Sequence, residues 1–197
     1  MFTKIMAILI AYCIGNFATS VIVAKFWANI DIRKYGSGNA GSTNVLRTLG
    51  VKAGLITFIG DALKGIVAVW IGKKIGGENL MLLCGLAVVI GHNWPIVLGF
   101  RGGKGIATTI GVGLFIHPLT ALICIIVGVL VVVKTKYVSL GSVIAVSLFP
   151  LLLLFSNFKY AVFALVLAIF AVYRHKENIK RLKLGTESKI GSKSKMK

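Results

Sequence analysis

The sequence predicts an all-α integral membrane protein, a bundle of seven transmembrane helices with its N-terminus outside and its C-terminus in the cytoplasm. Three observations lead there. The 197 residues are 57% apolar, with mean hydropathy +0.90, and the apolar residues fall in blocks close to the roughly twenty that cross a bilayer. The 23 lysines and arginines gather at block ends, whereas carboxylates number only five. Glycine-rich polar runs separate some blocks, and irregular backbone beside lipid survives only where it meets water, protein or ligand.

The first block, 5–27, follows Lys4 and ends at Lys25, Phe26 and Trp27 with no AxA-like cleavage pattern, so it reads as a retained span. Next comes the run 35–50, YGSGNAGSTNVLRTLG, and then block 54–72. Asp61 and Lys64 lie inside that block at i, i+3, share a helix face and can pair. Ionisable residues at depth are a functional hypothesis by default, but a mutual ion pair is a sufficient structural account here. Block 80–99 carries GHNWP near its end, where His92 reads as a satisfied interfacial histidine, and it runs into GFRGGKG at 99–105. Blocks 106–116 and 119–133 meet at His117-Pro118, where proline removes a donor and disfavours helix just before it, giving a kink or a hairpin. Blocks 138–155 and 158–173 follow, and a basic tail occupies about 175–197.

Charge chooses between kink and hairpin. If the chain turns at Pro118, one face carries eighteen cations, nine of them from Arg174 to Lys197, and the other only Lys4, Lys73, Lys74 and Lys159. One kinked span across 106–133 gives a weaker split of fourteen to eight. The positive-inside rule favours seven spans. The run 35–50, GFRGGKG, the loop 134–142 (KTKYVSLGS) and the tail then share the cytoplasmic face.

The formal charge of +18 suits topology and anionic lipid better than nucleic acid, because no sequence-reading surface accompanies it. Cys13, Cys84 and Cys124 lie in apolar blocks without ligand spacing, which argues against disulfides and metal sites. Short loops leave no room for a separate soluble unit, so residues 1–197 read as a single domain.

Gly36-x-Gly38-x-x-Gly41 matches the dinucleotide fingerprint in letters, yet it follows a span instead of a strand. Residues 99–104 miss the Walker A spacing by one, and Gly105 stands where Ser or Thr belongs. Both matches are rejected. The chemistry beneath them remains: glycines let N–H groups approach an anion, and a loop feeding a helix N-terminus adds a favourable dipole. A helix opening near 44–50 or 103–109 would do this, with Arg47 as a planar fork and Lys104 as a compact charge. Helix capping and lipid headgroups explain one such motif equally well. Two on one face make phosphate binding the better reading. His175 and Asn178 are three apart and would face together on a continuing helix, and His175 is the natural titrating group on that face. Spacing assigns no Ser/His/Asp set.

Three separated motifs carry a resemblance: GSGNAGSTNVLRTLG at 36–50, GHNWPIVLGFRGGKGIAT at 91–108 and HKENIKRLKLGTE at 175–187. With GDALKG at 60–65 and YVSLGS at 137–142, nearly the whole chain resembles the bacterial acyl-phosphate glycerol-3-phosphate acyltransferases of the PlsY type. Val97 replaces an expected aromatic, and Arg101 stands where the family often has lysine.

The resemblance implies transfer of a fatty acyl group from acyl phosphate to the 1-hydroxyl of glycerol 3-phosphate, giving lysophosphatidate and phosphate for phospholipid synthesis. It implies the bacterial cytoplasmic (inner) membrane, a site facing the cytoplasm, and no metal, cofactor, CoA thioester or obligate protein partner. No histidine has an aspartate at HxxxxD spacing, in keeping with that. Ser37, His175 and Asn178 are the implied catalytic residues, and Gly38, Asn39, Thr43, Asn44, Arg47, Gly102, Gly103, Lys104, Ser142 and Glu187 the implied substrate-binding ones. Arg47 and Lys104 are expected on phosphate, Ser37 and the amides of Gly102 and Gly103 on acyl phosphate, and His175 with Asn178 on glycerol 3-phosphate. Acyl phosphate brings its own leaving group, so holding two anions, orienting the hydroxyl and stabilising the oxyanion are the main tasks. His175 and the substrate phosphate both remain as proton acceptors. A transporter or flippase for an organic phosphate is the rival reading, and a structural membrane partner a third.

Overall fold

The computed structural model describes residues 1–191, so Lys193, Lys195 and Lys197 of the expected basic tail lie outside the described residues. Among the described residues the chain is helical: α1 Phe2–Asn16, α2 Thr19–Ala28, α3 Ser42–Leu49, α4 Val51–Asn93, α5 Ile106–Ile116, α6 Pro118–Thr135, α7 Val138–Leu153, α8 Phe158–Arg174 and α9 Lys176–Lys183. Contacts divide the described residues into two compact units, Met1–Phe115 and residues 116–191.

In the first unit, α4 is interrupted at Gly76 and Gly77, and Gly77 takes φ 69°, a left-handed conformation that suits glycine. The second arm folds back so closely that a methyl at Gly72 would meet the Leu80 carbonyl and Met81 Cα at 2.7 and 2.9 Å. These are the expected blocks 54–72 and 80–99, with helix ending at Asn93 and a 3-10 turn, Ile96–Leu98, after it. Gly15 of α1 packs against the backbone of Val88, Gly91 and His92 in that second arm. Small residues of this kind let helices approach closely without help from hydrophobic contrast with lipid. On the first arm, Gly111 of α5 lies on the Ala62 backbone. A fully buried cluster of Ala24, Ile32, Val45 and Ala53 ties α2, the loop, α3 and the start of α4 together.

The expected single span 5–27 is broken in the structure, because Phe17 (φ −65°, ψ 101°) and Ala18 (φ −85°, ψ 79°) leave the helix between α1 and α2. The helix is interrupted at His117, with Pro118 in the first turn of α6, where its missing N–H costs nothing.

In the second unit, α7 packs on α6 and α8. The chain bends by 61° between α8 and α9. Among the described residues, three stretches are long and apolar enough to cross a membrane: Phe2–Ala28, Val51–Leu98 and Pro118–Thr135. The bent pair α8 and α9 passes the same test together, and α5 and α7 are shorter apolar helices.

Candidate functional site

The glycine-rich run is held from within. Asn44, only 2% exposed, accepts from the Ser37 N–H through Oδ1 at 3.0 Å and donates through Nδ2 to the carbonyls of Ile32 and Tyr35 at 3.1 and 3.0 Å. These three hydrogen bonds hold the loop, so this amide shapes the run. Ahead of it, Asp31 caps the 3-10 turn Ile32–Lys34 and takes the Arg33 guanidinium as a fork, Nε to Oδ1 at 2.9 Å and Nη2 to Oδ2 at 2.8 Å. The hydrogen bonds from Arg33 hold the Asp31 carboxyl below the usual range.

Helix α3 opens at Ser42, earlier than expected, so Thr43 falls in its first turn. Arg47 follows Asn44 by three residues and shares its helix face; it is half-buried, as are Gly38, Asn39 and Thr43, while Ser37 is exposed.

The second motif comes to the first. Gly102 and Gly103 are buried and Lys104 half-buried. A methyl at Gly103 would run into the His92 imidazole at Nε2 and approach the Ala40 carbonyl to 2.9 Å, so only glycine fits between the two motifs. Ala40, His92, Pro95, Leu98, Gly102 and Gly103 line one shallow cleft. The Gly103 N–H donates to the His92 carbonyl at 3.1 Å, which closes the turn.

Beneath the cleft lies a polar network that sequence reading found only in part. The Lys64 ammonium stands 2.8 Å from Asp61 Oδ1, as expected of the i, i+3 pair. It also stands 2.7 Å from His92 Nδ1 and donates to the carbonyls of Phe17 and Gly15 at 3.0 and 3.3 Å. Those carbonyls flank the break between α1 and α2, where helical partners are lost, and an ammonium at membrane depth supplies the replacement. Asn16, the last residue of α1, accepts the Ile96 N–H at 2.7 Å and so ties the break to the turn Ile96–Leu98. The missed signal was Gly15-Asn16 followed by Thr19-Ser20, four small or polar residues in the middle of an apolar block.

The second unit carries the third motif. His175 does not continue α8; it stands at the bend and caps α9, 3% exposed. Its Nδ1 lies 2.7 Å from the Ala171 carbonyl, which can only accept, so Nδ1 carries the proton and Nε2 is the basic nitrogen. Glu187 is buried, and its Oε1 accepts from Asn178 Nδ2 at 2.7 Å and from Ser139 Oγ at 2.8 Å, its Oε2 from Arg181 Nε at 2.7 Å. Burial pushes the carboxyl up, but the hydrogen bonds from Asn178, Arg181 and Ser139 outweigh it and hold it below the ordinary range. Glu187 thus orients Asn178 and closes the segment after α9 onto α7. Its carboxylate organises this cluster. Ser142 follows Ser139 by three residues on the same helix and is half-buried.

The family model for glycerol-3-phosphate acyltransferase matches residues 5–185. The chain is 56% identical over 191 residues to a glycerol-3-phosphate acyltransferase of Alkaliphilus metalliredigens, covering 97% of this chain and 98% of that one. It is 51% identical to the enzyme of the same name from Clostridioides difficile, covering 98% of both. Its fold is similar to the crystal structure of PlsY (YgiH), an integral membrane glycerol 3-phosphate acyltransferase, in the glycerol 3-phosphate form, with TM-score 0.91, 36% identity and 96% of each chain covered. The lysophosphatidic acid form of PlsY gives TM-score 0.88 at the same identity and coverage.

Proposed function

The chain belongs to the glycerol-3-phosphate acyltransferase family and is an integral membrane acyltransferase, and from that premise we propose that its acyl donor is an acyl phosphate and its acceptor the 1-hydroxyl of glycerol 3-phosphate. The products are lysophosphatidate and inorganic phosphate, which feed phospholipid synthesis. Support for glycerol 3-phosphate and lysophosphatidate comes from the ligand forms of PlsY. The observation that carries the donor assignment is the meeting of the two glycine-rich motifs at one cleft, whose described lining holds no carboxylate. An acyl phosphate needs N–H donors and cations, and a carboxylate would oppose it.

In this reading Arg47 and Lys104 bind phosphate groups, the first as a fork and the second as a point charge. Gly102 donates its amide to the acyl phosphate, with Ser37 beside it as a hydroxyl donor, and Gly38, Asn39 and Thr43 complete the substrate-binding run. Asn44 sets the loop. His175 Nε2 accepts the hydrogen bond of the glycerol hydroxyl, and Asn178, oriented by Glu187, and Ser142 engage the rest of the acceptor. The hydroxyl oxygen attacks the acyl carbon, a tetrahedral oxyanion forms, and the acyl C–O bond to phosphate breaks with its electron pair leaving on phosphate. The hydroxyl proton passes to His175 and on to phosphate. Ser37 forms no acyl-enzyme, because the donor is already activated. No metal is required.

The chain crosses the bacterial cytoplasmic membrane seven times, with N-terminus outside and the three motifs facing the cytoplasm, and acts without an obligate protein partner. The turn at Gly76–Gly77 and the interruption at His117 support that count, and the charge asymmetry supports the orientation. Purified protein supplied with glycerol 3-phosphate and either acyl phosphate or acyl-CoA tests the donor: lysophosphatidate forms only with acyl phosphate. Product from the thioester alone refutes the assignment, and liposome uptake of an organic phosphate without product supports the transporter reading.

A further inference from the structure

The buried group Asp61, Lys64 and His92 is left unused by the chemistry above, yet it reaches from the broken first span to the floor of the cleft. An ammonium has donors only, so His92 Nδ1, at 2.7 Å from Lys64 Nζ, must be the acceptor and the ring proton must sit on Nε2. The alternative, Nδ1–H donating to Asp61, is ruled out by length, since Asp61 Oδ1 lies 3.6 Å from Nδ1. Asp61, 2% exposed, lies 2.8 Å from the same ammonium and pairs with it beside His92. The same histidine touches the turn twice: its carbonyl accepts the Gly103 N–H at 3.1 Å, and its Nε2 edge lies against Gly103 where a methyl would collide.

We propose that Asp61 and Lys64 are positioning residues that act through His92, holding its imidazole in the Nε2–H form against Gly103 and so holding the Gly102–Lys104 turn in its anion-binding shape. This rests on the reading of that turn as part of the acyl-phosphate site. Because the ammonium also binds the carbonyls of Gly15 and Phe17, the break between α1 and α2 and the turn are organised by one charge. The ion pair is thus tied to donor binding as well as to burial.

The test has a spectroscopic and a kinetic arm. Detergent-purified protein labelled with 15N-histidine, with His92 assigned by comparison with His117 and His175 variants, should show Nε2 protonated and Nδ1 unprotonated. A wild-type His92 protonated on Nδ1 overturns the proposal without any variant in the pathway. Lys64→Met, and the neutral pair Asp61→Asn/Lys64→Met that leaves no lone buried charge, should lose this pattern. Both should raise KM for acyl phosphate about tenfold or more while KM for glycerol 3-phosphate stays within about twofold, as expected of a displaced binding turn. Monodisperse variants with unchanged KM for acyl phosphate, or with both KM values raised alike, also overturn it. Lys104→Ala is the control for the underlying reading. If that variant leaves KM for acyl phosphate unchanged, the turn is not the donor site; if it raises KM and the Lys64 variants do not, only the relay fails.

Discussion

Asn44→Ala removes three hydrogen bonds at once and leaves the Ser37 N–H and two carbonyls to find water. Each bond contributes about 1 kcal/mol net, so the ordered run should lose about 3 kcal/mol relative to an opened loop, roughly a hundredfold in that equilibrium. Asn44 is buried and its amide spans residues 32 to 44, so no neighbouring side chain replaces it. Asn44→Asp should be worse than alanine. It keeps the acceptor for Ser37 but puts a carboxylate oxygen where Nδ2 faces the Ile32 and Tyr35 carbonyls. The assay pairs initial rates for purified variants with limited proteolysis at Arg33 and Lys34. A fall in kcat/KM of roughly tenfold to a hundredfold for alanine, with faster cleavage there, is the expected result. Alanine kinetics within about threefold of wild type and unchanged cleavage would refute the claim that this amide sets the phosphate-binding run.

Arg47→Lys keeps the charge but loses the planar fork, and kcat/KM should fall about tenfold or more, since a hydrogen bond to a charged group is worth about 1.5–3 kcal/mol. Gly103→Ala drives a methyl into the His92 ring and towards the Ala40 carbonyl, so KM for acyl phosphate should rise about tenfold or more in a protein that still elutes as a single species. Glu187 titrates lower folded than unfolded. Its contribution to holding α9 is therefore complete above the ordinary carboxyl value of 4.5 and fades as pH drops through the lower folded value. Amide hydrogen exchange in α9 should accelerate only in acid, and Glu187→Gln should abolish that acid step.

The all-helical membrane character, the break at Pro118 and the Asp61–Lys64 pair were legible because each rests on local chemistry: apolar length, a missing N–H, and i, i+3 spacing. Convergence of the two glycine-rich motifs was inferred from topology, and in the structure Ala40 and Gly103 line one cleft. What escaped the sequence are the long-range polar bonds. His92 meets Lys64 only because α4 folds back at Gly76–Gly77, a link across 28 residues. Glu187 meets Ser139 across 48 residues because the chain bends after α8. The break at Phe17–Ala18 was hidden because apolar composition continues through it, while its carbonyls are satisfied by a lysine from another helix. Asn44 and Gly103 show the same limit: their identities mark a loop, but only geometry reveals which groups they bond within it.

Direct transfer between two bound anions is the central mechanistic claim, and isotope exchange tests it most directly. Purified enzyme is incubated with acyl phosphate and radiolabelled inorganic phosphate, with and without glycerol 3-phosphate. Direct transfer predicts no label in acyl phosphate when the acceptor is absent, and lysophosphatidate equal to the phosphate released when it is present. Label entering acyl phosphate without acceptor would reveal an acyl-enzyme, on Ser37 or elsewhere, and contradict the account.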